Sequence, residues 1–332
     1  MKKIAVLTSG GDSPGMNPAI RAVVRTSLNY NINVIGIKRG YSGLIEGDYV
    51  EMKRGSVADI VHKGGTILLA GRCEEFQNRE ERKKAYDFLQ REGIEGLIVI
   101  GGDGTFRGAH DICEETDISV IGIPGTIDND LASTDYTIGF DTAMNTILDA
   151  ISKIRDTATS HERTFVVEIM GRDTGTLGLM AGLAGGAESI LIPEFDYAIE
   201  DVVRKVENGY SRGKLHSIIL MAEGVGENFQ TDRDINESHA FYLSKEISKR
   251  TGLDTRVIIL GHLQRGGNPT AFDRILASRM GVKAVELLVA GESDEVICYV
   301  KNEVNSLNIT EALREKKVFN KDMYDLANML AM

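Results

Sequence analysis

Asp128 and Asp130 stand one residue apart in the loop GIPGTIDND (122–130), directly after the apolar run ISVI (118–121). A turn would account for Pro124 and Gly125 but not for the two carboxylates. Two close carboxylates repel unless a cation or a proton intervenes, so the loop implies one or the other. GGDGT (101–105) supplies a place for such a cation. Its three glycines precede a helix and let backbone amides approach a phosphate, and Asp103 can reach a magnesium ion directly or through water. The same five residues also suit a plain turn with aspartate as helix cap. In SGGDSPGMNPAIRAVVR (9–25), a glycine-rich loop again leads from a strand to a helix, with Asn17 able to cap and Pro18 suited to the first turn. Neither a Walker A loop nor a Rossmann fingerprint is present.

Arginines gather at the other loops: Arg72 in AGRCEEF, Arg163 in SHERT, Arg172 in MGRDTG, Arg256 before an apolar run, and Arg265 in GHLQRGG beside His262. One scattered arginine is usually solvated, whereas several at loop positions in an acidic chain fit a phosphate pocket, because guanidinium binds phosphate bidentately. Arg21 and Arg25 form a second basic set, four apart on one helix face. Arg54, Arg155, Arg212, Lys214 and His216 can join them only through folding or subunit contact.

The elements that must position these residues show in the apolar pattern. IAVL, INVIGI, GLIVI, SVIGI, TFVVEIM, SILI, SIILMA and VIIL, starting at residues 4, 32, 96, 119, 164, 189, 217 and 257, are unalternated, as strands covered on both faces should be. Helical spacing separates them, as in Ile20, Val23, Val24, Ser27 and Leu28, or Ala143, Ile147, Ala150, Ile151 and Ile154. The alternation predicts a parallel α/β fold. Its loops converge at the carboxyl ends of the strands, where open sheets bind ligands. Boundaries are expected near Gly139 and near HLQRGG.

At 332 residues the chain is long enough for two domains. A net charge of −11 gives no general attraction for nucleic acid or an anionic membrane. Three cysteines far apart fit a reduced cytoplasmic protein. MKKIAVL opens like a signal peptide, but TSGGDSPG interrupts it too early for an apolar core, and no run approaches the roughly 20 residues of a membrane span.

Taken together and in order, LTSGGDSPGMN, GGDGT, PGTIDND, TDYTIGFDTA, MGRDTG, AEG and LGHLQRGG resemble the bacterial 6-phosphofructokinase family nearly from end to end. The combination is specific; GGDGT alone is shared with NAD kinases and diacylglycerol kinases. The resemblance implies a cytoplasmic, magnesium-dependent homotetramer that phosphorylates O1 of fructose 6-phosphate with ATP in glycolysis. It also implies two Rossmann-like three-layer α/β/α domains with mostly parallel sheets and the active site in the cleft between them. The larger, ATP-binding domain is expected over 1–139 plus 264–302, the smaller, sugar-binding one over 140–263 plus 303–332.

By the same resemblance Gly11, Arg72, Cys73, Gly102, Asp103, Gly104 and Thr105 form the ATP site, with Asp103 serving magnesium. Thr126, Asp128 and Asp130 belong to catalysis with Arg172, Gly11 and Arg72, and Asp128 is the general base. Sugar-phosphate contacts fall to Thr126, Ile127, Asp128, Met170, Gly171, Arg172 and Glu223, with His262, Leu263, Gln264 and Arg265. Arg163 and Arg256 are expected to reach in from a neighbouring subunit. An effector site for ADP and phosphoenolpyruvate takes Arg21, Ala22, Val23, Val24, Arg25, Arg54 and Asp59 together with Arg155, Gly186, Ala187, Glu188, Arg212, Lys214, Leu215 and His216. A second magnesium is expected at Gly186 and Glu188. Three features depart from the family: Leu215 replaces a common lysine, AGRCEEF replaces SAR-x-PEF, and 224–255 is long, as if lengthening a surface loop.

Three rivals compete. A pyrophosphate-dependent phosphofructokinase would typically carry Asp in place of Gly104 and Lys in place of Gly125, so these glycines favour ATP. An NAD or lipid kinase has only GGDGT in its support. A non-catalytic nucleotide sensor could share the fold, but intact Asp103, Asp128 and Arg172 oppose it.

Overall fold

Apolar runs bounded by glycine and polar loops become strands, and the 3.6-periodic segments between them become helices. The computed structural model describes residues 1–226, 238–314 and 317–331. In chain order the strands are β1 Lys3–Thr8, β2 Asn33–Ile37, β3 Tyr49–Met52, β4 Gly96–Gly101, β5 Ser119–Pro124, β6 Thr164–Ile169, β7 Ser189–Leu191, β8 Ser217–Ala222, β9 Thr255–Ile259, β10 Glu295–Val300 and β11 Glu303–Asn308. The helices are α1 Met16–Asn29, α2 Tyr41–Glu46, α3 Arg79–Arg91, α4 Asp103–Glu115, α5 Phe140–His161, α6 Thr176–Gly185, α7 Ile199–Ser211, α8 His239–Thr251, α9 Ala271–Ala290, α10 Ile309–Arg314 and α11 Lys321–Leu330. Among the described residues no helix is long and apolar enough to cross a membrane.

Met1–Thr142 and Arg265–Lys317 make the first of two units. Its seven-stranded sheet runs β11-β10-β5-β4-β1-β2-β3, parallel from β10 to β2 and closed at each edge by an antiparallel strand. Alternate residues feed two cores. Ile4, Val6, Ile98 and Ile100 meet α1 and α9 through Ile20, Val23 and Met280, while Ala5, Leu7, Leu97 and Val99 meet Phe88, Leu89, Phe106 and Ile112 of α3 and α4. Strands covered on both faces have no polar side to alternate with, which is why β1 and β4 read as continuous apolar runs.

Ala143–Gln264 and Val318–Met332 make the second unit, around the parallel four-stranded sheet β7-β8-β6-β9. Its centre, β8, is buried throughout, but β9 is an edge strand with Arg256 and Ile259 exposed, so VIIL is not covered on both faces as expected.

The divisions at Thr142, Gln264 and Lys317 differ from the expected boundaries chiefly at the C-terminal end. Residues 303–317 join the first unit because β11 pairs with β10 over six residues, from Glu295 with Asn308 to Val300 with Glu303. β3, β10 and β11 had no counterpart among the predicted strands; β3 and β11 are half-exposed edges whose pattern is weak. Asn17 does not cap α1. Gly15, at φ 115°, holds that place, and the Asn17 amide instead binds the carbonyls of Lys63 and Gly64 and the N–H of Ile67. Part of the long 224–255 segment, 227–237, lies outside the described residues.

Candidate active site

Three loops leave the carboxyl ends of β1, β4 and β5 in the first unit and are drawn together by backbone bonds. Ser9 N donates to Ile100 O (3.0 Å), Gly125 N to Gly101 O (2.9 Å) and Gly10 N to Gly71 O (3.1 Å), so residues 71–73 lie beside the β1 loop. Gly101 is required by this approach: a Cβ there would stand 2.7 Å from Ser9 O and 2.3 Å from Thr105 Oγ1. Gly104 is the opposite case, with nothing within 4 Å of where its Cβ would be. Asp103 is the first helical residue of α4 and Gly102 occupies the cap position, so the aspartate is not the N-cap that a plain turn would use. Arg265 packs on the β1 loop, its Nη1 3.3 Å from Asp12 O and 2.5 Å from a Cβ on Gly11. Arg72 is exposed; Cys73 is half-buried, donates its thiol toward Glu75 (3.5 Å), and is shifted up mainly by burial.

The loop after β5 is built as a closed turn. Asp128 N donates to Thr126 Oγ1 (3.2 Å), Thr126 Oγ1 donates to Asp128 Oδ2 (3.4 Å), and Thr137 Oγ1 donates to Thr126 O (2.6 Å). Asn129 takes φ 50°, a left-handed backbone that asparagine tolerates better than most residues, and its side chain binds both Asp135 O (3.0 Å) and Thr137 N (3.0 Å). Asp128 and Asn129 are 1% and 3% exposed, so the Asp128 carboxylate sits in a largely water-free turn. Ile127 is fully buried, so any contact it makes with a ligand would come from its backbone.

In the second unit the ends of β6, β8 and the 3-10 turn Gly261–Arg265 gather Met170, Gly171, Arg172, Glu223 and Gln264. Glu223 Oε1 accepts from Gly171 N (3.2 Å) and Arg172 N (2.9 Å), and buried Gln264 Oε1 accepts from Met170 N (3.2 Å). Arg172 is left-handed at φ 51°, a costly conformation for arginine that marks a constrained position. His262 and Leu263 are exposed on the same turn. Arg163 and Arg256 share one carboxylate: Arg163 Nε donates to Asp254 Oδ2 at 2.7 Å, and Arg256 Nη2 to the same oxygen at 3.1 Å. Arg256 and then Arg163 hold Asp254 below the usual carboxylate range.

A second cluster in this unit surrounds a cavity of about 310 Å³ lined by Gly186, Ala187, Glu188, Arg212, Lys214 and, unforeseen from sequence, Lys205 and Leu330. Lys214 pairs with Glu188, and Arg155 reaches Glu188 Oε1 at 3.7 Å and the Gly186 carbonyl at 3.0 Å. Burial pushes the nearby His216 below its ordinary range, against the pull of Glu188. Leu215 is partly exposed beside them. The expected magnesium at Gly186 and Glu188 does not fit this donor set, because both are already matched to Arg155 and Lys214. Arg21, Arg25, Arg54 and Asp59 lie in the other unit. Ala22, Val23 and Val24 between them are buried at 7%, 0% and 0% exposure, and Val23 and Val24 pack in the core, so only their backbone is open to a ligand contact. Sequence reasoning gave no role to Asn129 or Asp254; the local signal for the former is an asparagine, a residue that tolerates left-handed backbone, between two aspartates.

The family model described as Phosphofructokinase matches residues 3–288. An ATP-dependent 6-phosphofructokinase of Halothermothrix orenii is 67% identical over 332 residues, covering 100% of both chains. A solved phosphofructokinase of Saccharomyces cerevisiae is 36% identical with a TM-score of 0.85; the match covers 99% of this chain and 47% of that one, so the present chain spans about half its length. A pyrophosphate-dependent phosphofructokinase of Marinobacter aquaeolei, 22% identical with a TM-score of 0.84 over 100% of this chain and 92% of that one, shares the fold.

Proposed function

The chain belongs to the phosphofructokinase family, and from that membership we propose that it transfers the γ-phosphoryl group of ATP to O1 of fructose 6-phosphate, releasing ADP. The observation that carries the chemistry is the buried Thr126–Asp128 turn beside the Gly102–Thr105 cradle at the ends of β4 and β5. Asp128 accepts the proton of the attacking hydroxyl as the new O–P bond forms and the bond to the β-phosphate oxygen breaks. Thr126 and Asn129 fix the turn, so positioning supplies much of the rate. Glu223 and Gln264 set the backbone of 170–172 for the sugar phosphate, with Arg172, His262 and Arg265 as cationic or polar contacts.

Magnesium fits at Asp103. An ion there would be held by one carboxylate and the nucleotide's own phosphates, as magnesium commonly is. The open space at Gly104 leaves room for those phosphates. When bound, magnesium would neutralise charge on the phosphoryl oxygens. We further propose a cytoplasmic homotetramer in which Arg163 and Arg256 serve a neighbouring copy. Arg155, Glu188, Arg212 and Lys214 would meet Arg21, Arg25, Arg54 and Asp59 of a neighbour to take ADP or phosphoenolpyruvate.

Pyrophosphate as donor keeps the fold but not the residues. A lysine at Gly125 would crowd Ile100 and Met16, at 3.1 and 3.4 Å from a Cβ. A coupled assay with fructose 6-phosphate decides the matter: turnover with MgATP and none with pyrophosphate is expected, and the reverse would overturn the donor assignment.

A further inference from the structure

Past Val296, β10 no longer pairs with β5, and the outer part of the catalytic loop takes its place. Glu295 and Val296 pair with Ile121 and Gly122, and then Asp135 N donates to Tyr299 O (2.8 Å) while Tyr299 N donates to Thr134 Oγ1 (3.0 Å). Lys301 N, in the β10–β11 turn, donates to Asp135 Oδ2 (2.9 Å). The same short segment receives Lys317, whose Nζ lies 2.8 Å from Thr134 O and 3.1 Å from Asp135 O. The Asp135 carbonyl therefore accepts from Lys317 on one side and from Asn129, the residue between the two aspartates, on the other.

We propose that Lys317 is a positioning residue for the phosphoryl-transfer loop, a strut from the C-terminal segment that fixes Asn129 and hence Asp128 through the Asp135 carbonyl. The inference rests on the assignment of Asp128 as the base. Lys317 touches no substrate in this scheme; it acts through 134–135. An ammonium makes stronger bonds to carbonyls than a neutral amine. Burial pushes this ammonium down to about 8, against the pull of Asp135 and Asp130, the charged groups that act on it from the loop. The strut is therefore charged below that pH and weakens above it, so turnover should fall on the alkaline side.

The test uses the full chain with Lys317→Met and Lys317→Arg, saturating MgATP and fructose 6-phosphate, from about pH 6.5 to about pH 9.5. In the unsubstituted protein kcat should decline with an apparent pKa near about 8. Lys317→Arg should keep at least about half the turnover and lose the decline, because guanidinium does not titrate there. Lys317→Met should lower kcat by about tenfold at every pH, with KM for ATP within about twofold. Amide exchange over 129–137 reads the strut without turnover and should speed up by about tenfold in Lys317→Met. Unchanged kcat and exchange in Lys317→Met, or an alkaline decline retained in Lys317→Arg, overturns the proposal. If Lys317→Met fails to fold, Lys317→Arg decides alone. An unsubstituted protein inactive toward fructose 6-phosphate, with exchange still dependent on Lys317, would sink the reaction assignment and leave the strut standing.

Discussion

Around Asp128 the chain is fixed by uncharged groups, Thr126, Asn129 and Thr137, bonded mostly to backbone. Around the arginines of the second unit it is fixed by carboxylates: Asp254 holds Arg163 and Arg256, and Glu188 holds Lys214 and Arg155. The difference follows from what each group must do. Hydrogen bonds from neutral donors such as Thr126 orient the carboxylate proposed as the base, each lowering its basicity less than a full positive charge at the same distance would. Cationic groups proposed to take a phosphate would repel one another at close range, and a shared carboxylate keeps them together. Lys317 fits the first pattern at one remove, since its charge meets loop carbonyls.

The contrast predicts where single changes should register. The largest effect belongs to Asp128→Ala, which should lower kcat by about 10² to 10⁴ with little change in ATP affinity. Retention of a tenth of the original turnover would show that Asp128 is not the base. Next comes Thr137→Val, which deletes the 2.6 Å bond to Thr126 O and leaves a buried carbonyl poorly satisfied. Losing such a bond costs about 1–3 kcal/mol, so kcat should fall by about tenfold and the melting temperature should drop. A variant that melts earlier at full kcat would make this bond structural only.

Asp254→Asn probes the charged pattern. It removes the anion between Arg163 and Arg256, and KM for fructose 6-phosphate should rise about threefold with kcat unchanged, as expected for a change in ground-state recognition. Initial-rate curves in both substrates check it, and a fall in kcat alone would place the two arginines with the chemistry. Lys214→Met should have the smallest effect on turnover, none beyond about twofold, while flattening the response to ADP. An intact response in that variant would detach the Glu188 cavity from regulation.

Much of the first unit was legible because its signals are local. IAVL and GLIVI read as strands because both faces are covered, and GGDGT announced a strand–loop–helix junction because only glycine tolerates the approach at Gly101. β3 and β11 were not legible, since half-exposed antiparallel edges carry neither a continuous nor a clean alternating pattern; β10, buried over its middle four residues, was overlooked although its apolar run resembles those of the other inner strands. Ala22, Val23 and Val24 entered the expected effector site by resemblance alone; their side chains turn inward on the helix, so only their backbone could meet a ligand.

The sequence by itself determined the α/β class, most of the parallel strands and the family, because each rests on residue type and short spacing. Tertiary structure alone decided what holds the site residues. Arg163 meets Asp254 across 91 positions, and Lys317 meets Thr134 across 183. Such pairings are set by which strand runs beside which and where each one ends. β10 takes up residues 134–135 only because β5 has already left the sheet, and no local pattern encodes that departure.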